Sequence, residues 1–226
     1  MQPHDRLVVA LDLSARDELL RLVDTLQGSV GVFKIGLQAF IANGPGIVRD
    51  VVARGGRAFL DLKIHDIPNT ARHAVAEAAG LGASIATVHA AGGESMLRAC
   101  VHDQLLVLGV TILTSLSETD LLQIGFGGSA VDNAVRLARL AQSSGLRGVV
   151  ASPLEIEPIR EACGKEFVIL TPGIRPKGSD AGDQQRVMTP GEAVRAGADY
   201  IVVGRPITSA ADPRSAAQRV VDEMTI

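Results

Sequence analysis

Two acids and a lysine fall within six positions of the stretch Asp61-Leu62-Lys63-Ile64-His65-Asp66-Ile67-Pro68-Asn69-Thr70. An ammonium with two candidate anions, Asp61 and Asp66, is a group suited to stabilising negative charge and delivering a proton. The bland alternative is a solvated Asp-x-Lys ion pair. The apolar run just before it, Ala58-Phe59-Leu60, argues for partial burial instead, and buried charges need partners.

That apolar run reads as a buried strand. Side chains on a strand repeat every two residues, so Asp61 and Lys63 share a face, roughly 6.6 Å apart along it. Pro68 is expected to end the extended segment. Asn69-Thr70 then opens a helical run to Ala79, with Thr70 as its N-cap. The charges therefore sit at the C-terminal end of a strand, where α/β folds place their chemistry.

The same rhythm recurs along the chain. Apolar strands are expected at 7–11, 31–36, 58–63, 84–89, 105–113, 148–151, 167–170 and 200–204, each followed by a helical pattern. Eight such units with nearly continuous apolar strands predict an α/β fold, a closed single-domain (β/α)8 barrel spanning residues 1–226. A doubly wound open sheet is the alternative. No second domain, linker or low-complexity segment interrupts the pattern.

A formal net charge of −3 leaves no basic footprint for nucleic acid, and aromatics at 3% leave no stacking platform for single strands. No apolar run reaches membrane-spanning length, and the first residues lack the apolar core of a signal peptide. Cys100 and Cys163 match no metal spacing and suit a reducing compartment. A soluble, cytoplasmic protein is expected, with no membrane or nucleic-acid partner.

Polar groups recur just after the strands: Asp12, Lys34, Asp61, Lys63, His89, Thr114, Arg175 and Arg205. Their recurrence predicts a polar mouth on an apolar barrel. Two segments look like anion grips, Thr171-Pro172-Gly173-Ile174-Arg175 (continuing to Gly182-Asp183-Gln184) and Gly204-Arg205-Pro206-Ile207. Loops after the last two strands of such barrels often bind phosphate. The long, glycine-containing connection from 175 to 186 suits a lid. His65 is out of phase with Asp61 and Lys63 and is expected on the outer layer or an interface. His89 could contact substrate or only neighbouring backbone. The five histidines show no metal-ligand spacing.

With these residues in view, the chain resembles the orotidine 5′-phosphate decarboxylase family nearly end to end. The resemblance is carried by Ala10-Leu11-Asp12, Phe33-Lys34-Ile35-Gly36, the 61–70 stretch, Leu113-Thr114-Ser115, Thr171-Pro172-Gly173-Ile174-Arg175, Gly182-Asp183-Gln184 and Val203-Gly204-Arg205-Pro206. Asp-x-Lys-x-x-Asp alone is shared with magnesium-dependent sugar-phosphate decarboxylases and aldolases. The His-Asp-Ile-Pro-Asn-Thr ending and Thr-Pro-Gly-Ile-Arg point to the orotidylate branch.

The resemblance implies conversion of orotidine 5′-phosphate to uridine 5′-phosphate and CO2, without metal or organic cofactor, in a homodimer. It makes Lys63 the proton donor in a charged array with Lys34, Asp61 and Asp66. Asp66 and Thr70 would reach the partner's site. Asp12 and Lys34 would hold the ribose, and Thr114, with Ser115 as its alternative, the pyrimidine end. Arg175, Gln184, Gly204 and Arg205 would hold the phosphate. The whole 61–70 stretch, Leu62, Ile64, His65, Ile67, Pro68 and Asn69 included, is implied to line the substrate site. Two rivals remain at this level: a magnesium-dependent enzyme of the same barrel group, and a catalytically silent nucleotide-binding protein.

Overall fold

The computed structural model describes residues 2–177 and 188–225. Eight parallel strands close into a barrel in sequential order, β1-β2-β3-β4-β5-β6-β7-β8, with β1 paired to β8. They are β1 (Leu7–Ala10), β2 (Val32–Gly36), β3 (Ala58–Ile64), β4 (Ile85–His89), β5 (Leu106–Val110), β6 (Gly148–Val150), β7 (Val168–Thr171) and β8 (Tyr200–Val203). The described helices are α1 (Arg16–Leu26), α2 (Leu37–Asn43), α3 (Gly46–Ala53), α4 (Pro68–Gly80), α5 (Gly93–Ala99), α6 (Glu118–Gln123), α7 (Ala130–Ser143), α8 (Ile156–Cys163), α9 (Pro190–Ala196), α10 (Arg205–Thr208) and α11 (Pro213–Glu223).

Strand alternation divides the core in two. Val8, Ala10, Val32, Phe59, Ile85, Leu108, Leu170, Tyr200 and Val202 form one buried cluster inside the barrel. Their sequence neighbours, such as Val9, Phe33, Leu60, Ala86 and Val203, belong to the cluster between strands and helices. Each fully buried aliphatic or Phe side chain contributes about 1.5–3 kcal/mol. The inward phase is therefore strongly specified, since a slip of one residue would turn every strand side chain to the other layer. Inward parity continues from Phe59 through Asp61 to Lys63, and from Val32 to Lys34. Apolar packing low in the barrel thus aims the charges at its mouth.

Several expectations change. Pro68 does not merely end the strand; it occupies the first turn of α4, where its missing N–H costs nothing. Ile67 is the N-cap residue, and Thr70 lies inside the helix. β5 stops at Val110 rather than at 113, and residues 111–116 turn out toward the mouth, with Leu116 N–H donating to Leu113 C=O. α2 and α6 were not expected. Both are short, with one buried side chain each, Ala39 and Leu121, so neither has an apolar stripe. Among the described residues no helix is long and apolar enough to cross a membrane.

Candidate active site

Lys34 and Asp61 enter the barrel mouth from neighbouring strands. Gly36 pairs with Asp61, two residues further along β2 than Lys34. A Cβ on Gly36 would lie 2.8 Å from Asp12 Oδ1 and 3.0 Å from Lys34 Nζ. Glycine there leaves the space in which Lys34 Nζ reaches Asp12 Oδ1 at 3.1 Å. Lys34 Nζ also lies 3.7 Å from Asp61 Oδ2. The Lys63 ammonium spans both Asp61 oxygens, at 3.0 and 2.9 Å. Asp12, Lys34, Asp61 and Lys63 thus form a continuous alternating chain of charge.

β3 departs from regular pairing at this point. Its register with β4 shifts between Leu60, opposite Ala86, and Ile64, opposite Val88. Four steps along β3 therefore match two along β4, an irregularity of the kind found near functional sites. Lys63 is the described non-glycine residue with positive φ, at 52°. Thr87, on β4 opposite the irregular segment, accepts from Lys63 N–H at 3.0 Å and donates to Asp61 Oδ1 at 2.9 Å. Thr87 was missed in the sequence, although its parity with inward-facing Ile85 was available to find it.

Burial of Asp61 by itself pushes its carboxyl up. The Lys34 and Lys63 ammoniums, with hydrogen bonds from Lys63 and Thr87, outweigh that and leave it below the ordinary value of 3.8. His89, at the end of β4, is held below 6.5 chiefly by burial, then by His65 and Lys63, against an opposing pull from Asp61. Its ring lies 5.5 Å from that of His65.

A cavity of about 540 Å3 opens above the inner core. Its floor includes Phe59, Val150, Leu170 and Val202. Its wall brings together Asp12, Lys34, Asp61, Lys63, Leu113, Thr114, Arg175, Gly204 and Arg205, with Gln38 and Ile112 not singled out before. Arg175 follows β7 and Arg205 follows β8, so these cations stand across the barrel from Lys63 on β3. The Gly173 turn before Arg175 has φ 79°, which glycine adopts freely.

The rest of the 61–70 stretch does not line this cavity. Leu62 and Ile64 pack against the core between strands and helices. Residues 65–70 are exposed at the rim, because Pro68 and α4 carry the chain away from the mouth. Asp66 is not a second anion for Lys63 within one chain: it is exposed and accepts from Ile67 N–H at 2.7 Å. Ser115 is exposed and outside the cavity wall, whereas Thr114 is on it. Gly182, Asp183, Gln184 and most of the expected lid fall outside the described residues. Among the described residues no group of three or more His, Cys, Asp or Glu is placed to hold a metal ion.

The model of the family described as "Orotidine 5'-phosphate decarboxylase / HUMPS family" matches residues 5–220. The orotidine 5′-phosphate decarboxylase of Heliobacterium modesticaldum is 47% identical, over 99% of this chain and 97% of the relative. That of Moorella thermoacetica is 49% identical, over 99% and 94% respectively. The crystal structure of orotidine 5′-phosphate decarboxylase from Lactobacillus acidophilus matches with a TM-score of 0.86 at 34% identity, covering 97% of this chain and 99% of that one.

Proposed function

The chain belongs to the orotidine 5′-phosphate decarboxylase / HUMPS family and acts in pyrimidine biosynthesis by decarboxylating orotidine 5′-phosphate, and we propose that it does so without a metal, with Lys63 as proton donor. The observation that carries the detailed reading is the Lys63 ammonium, bound across both oxygens of Asp61 at the wall of a nucleotide-sized cavity.

Loss of CO2 from C6 of the pyrimidine leaves an electron pair in the ring plane, where the π system delocalises it poorly. A fixed cation beside C6 must therefore stabilise that charge as it develops. Lys63 would serve first as that cation and then give its proton to C6. Asp61 fixes the direction of the ammonium, and Lys34 helps keep Asp61 ionised. Repulsion between Asp61 and the departing carboxylate is a smaller, contested contribution.

Recognition follows from the wall. Asp12 and Lys34 would take the ribose hydroxyls, Thr114 the pyrimidine end, and Arg175, Gly204 and Arg205 the phosphate. Lys63 and the arginines stand across the barrel from each other, which suits a ligand with its phosphate at one end and its reacting carbon at the other. Gln184 belongs to the same proposal on the family resemblance alone. Phosphate binding remote from C6 would contribute to alignment at the reacting carbon.

We also place Asp66 and Thr70 in the partner's site of a homodimer. Their exposed rim segment carries Ile67, 68% exposed, and α2, which follows the neighbouring strand β2, carries Leu37 and Ile41, 51% and 77% exposed. Mixing inactive Lys63→Ala and Asp66→Ala protomers should restore up to roughly a quarter of parental activity, because each heterodimer regains one intact site of two. No restoration would remove the shared-site proposal. A cytoplasmic setting is consistent with the free thiols, Cys100 being buried and pushed up to about 11 by that burial.

The reaction itself is tested by following orotidylate absorbance with metal-stripped protein. Turnover should be unchanged by EDTA. Activity lost on chelation and restored by magnesium would overturn the metal-free reading.

A further inference from the structure

We infer that Thr87 is a positioning residue for catalysis: its hydroxyl couples the Asp61 carboxylate to the Lys63 backbone and thereby sets where the Lys63 ammonium stands. The inference rests on the proposed role of Lys63. Thr87 is fully buried on β4, between Ala86 and Val88 in a strand that is otherwise apolar until His89 at its end. Lys63 N–H donates to its Oγ at 3.0 Å, and that Oγ donates to Asp61 Oδ1 at 2.9 Å. The direction of both bonds is dictated by chemistry. A backbone N–H can only donate and an ionised carboxylate can only accept, so the hydroxyl proton must point at Asp61.

The location explains why a hydroxyl is needed. β3 spends four residues against two of β4 here, so the regular ladder is interrupted. The Thr87 side chain supplies the acceptor that this interruption takes from Lys63 N–H. It does so where Lys63 has φ 52°, a conformation that a side-chain-bearing residue rarely holds without support. The same oxygen atom of Asp61 receives both Thr87 and Lys63 Nζ. One buried hydroxyl therefore restrains the backbone from which the ammonium starts and the carboxylate on which it ends.

The test compares Thr87→Ser, Thr87→Ala and Thr87→Val in the full-length protein, by steady-state orotidylate turnover and thermal melting. Serine and alanine both lack the γ-methyl and differ only in the hydroxyl; valine keeps the shape and loses the hydroxyl. Alanine and valine should lower kcat by about 100-fold, the scale of a small misplacement of a reacting group. KM should stay within about threefold, and serine should restore kcat to within about threefold of the parent. A hydroxyl-free variant with near-parental kcat would overturn the inference, as would serine falling as far as alanine. If valine does not fold, the serine and alanine pair decides. If alanine and valine both fail to fold while serine folds, the hydroxyl serves the fold alone and the inference falls. Lys63→Ala separates the two claims. Retained turnover there sinks the proton-donor reading whatever Thr87 does, whereas an inactive Lys63→Ala beside an unimpaired Thr87→Ala sinks only the positioning role.

Discussion

At the mouth, Asp61 and Lys63 hold each other beside an open cavity; at the opposite end of the barrel, Arg160 meets Asp199 and a set of backbone carbonyls. Arg160 donates to the carbonyls of Gly164, Lys165, Phe167 and Gly197 and to Asp199 Oδ2. Asp199 Oδ2 also accepts from Ile169 N–H, and its carbonyl accepts from Arg6 Nε at 3.0 Å. Gly197, at φ 110°, ends α9 and leaves room for this guanidinium; a Cβ there would lie 3.3 Å from Arg160 Nε. The arginine ties the α8–β7 and α9–β8 connections together. At the mouth the ammoniums meet carboxylates at the wall of the cavity instead. Charge absorbed by fixed carbonyls supports architecture. Charge balanced by side chains at the edge of a cavity remains available to a ligand.

Removing one cation from each end should break activity and stability separately. Lys63→Ala should lower kcat by about 10^4-fold or more, since it deletes both the charge at C6 and the proton donor. Binding of a product analogue should remain measurable by calorimetry. Near-normal turnover, or a melting-temperature loss as large as that of Arg160→Ala, would erase the distinction. Arg160→Ala should cost about 2–4 kcal/mol of stability, because Asp199 loses its cation and several carbonyls lose the guanidinium as donor. For a chain of this size that is a fall of roughly 5–15 °C in melting temperature, with kcat of the folded protein nearly unchanged. A large loss of kcat there with normal melting would reverse the assignment of the two ends.

The smallest effect concerns acid. Asp61 lies below its ordinary value of 3.8 in the folded chain, so the unfolded chain binds the extra proton first as pH falls. Its contribution to stability is complete well above 3.8 and is lost as pH drops through the lower folded value. Denaturant titrations between pH 6 and 3 should show this decline. It should be shallower in Lys63→Ala, where one of the two ammoniums that lower Asp61 is gone. An unchanged slope would mean that the mouth pair is uncoupled in the folded state.

Much of this architecture was legible in residue order. Nearly continuous apolar strands, each followed by a helical pattern, imply a parallel barrel, and the parity from Phe59 to Asp61 and Lys63 aims the charges inward. Arg175 and Arg205 after the last two strands were legible for the same reason. Asp66 was misread as a second local anion, because six positions are close in sequence while Pro68 and α4 turn the rim segment outward. Thr87 passed as one more strand residue, because nothing near it in sequence signals that its partners lie on β3.

Local order alone thus determined the number of strands, their inward phase and the presence of charge at their C-terminal ends, since side-chain alternation follows from backbone geometry within a few residues. Barrel closure, the shifted register of β3 on β4, and the meeting of Thr87, Asp61 and Lys63 were decided only in the tertiary structure. Closure depends on β1 pairing with β8 across nearly the whole chain, and the Thr87 meeting on hydrogen bonds between residues 24 and 26 positions apart.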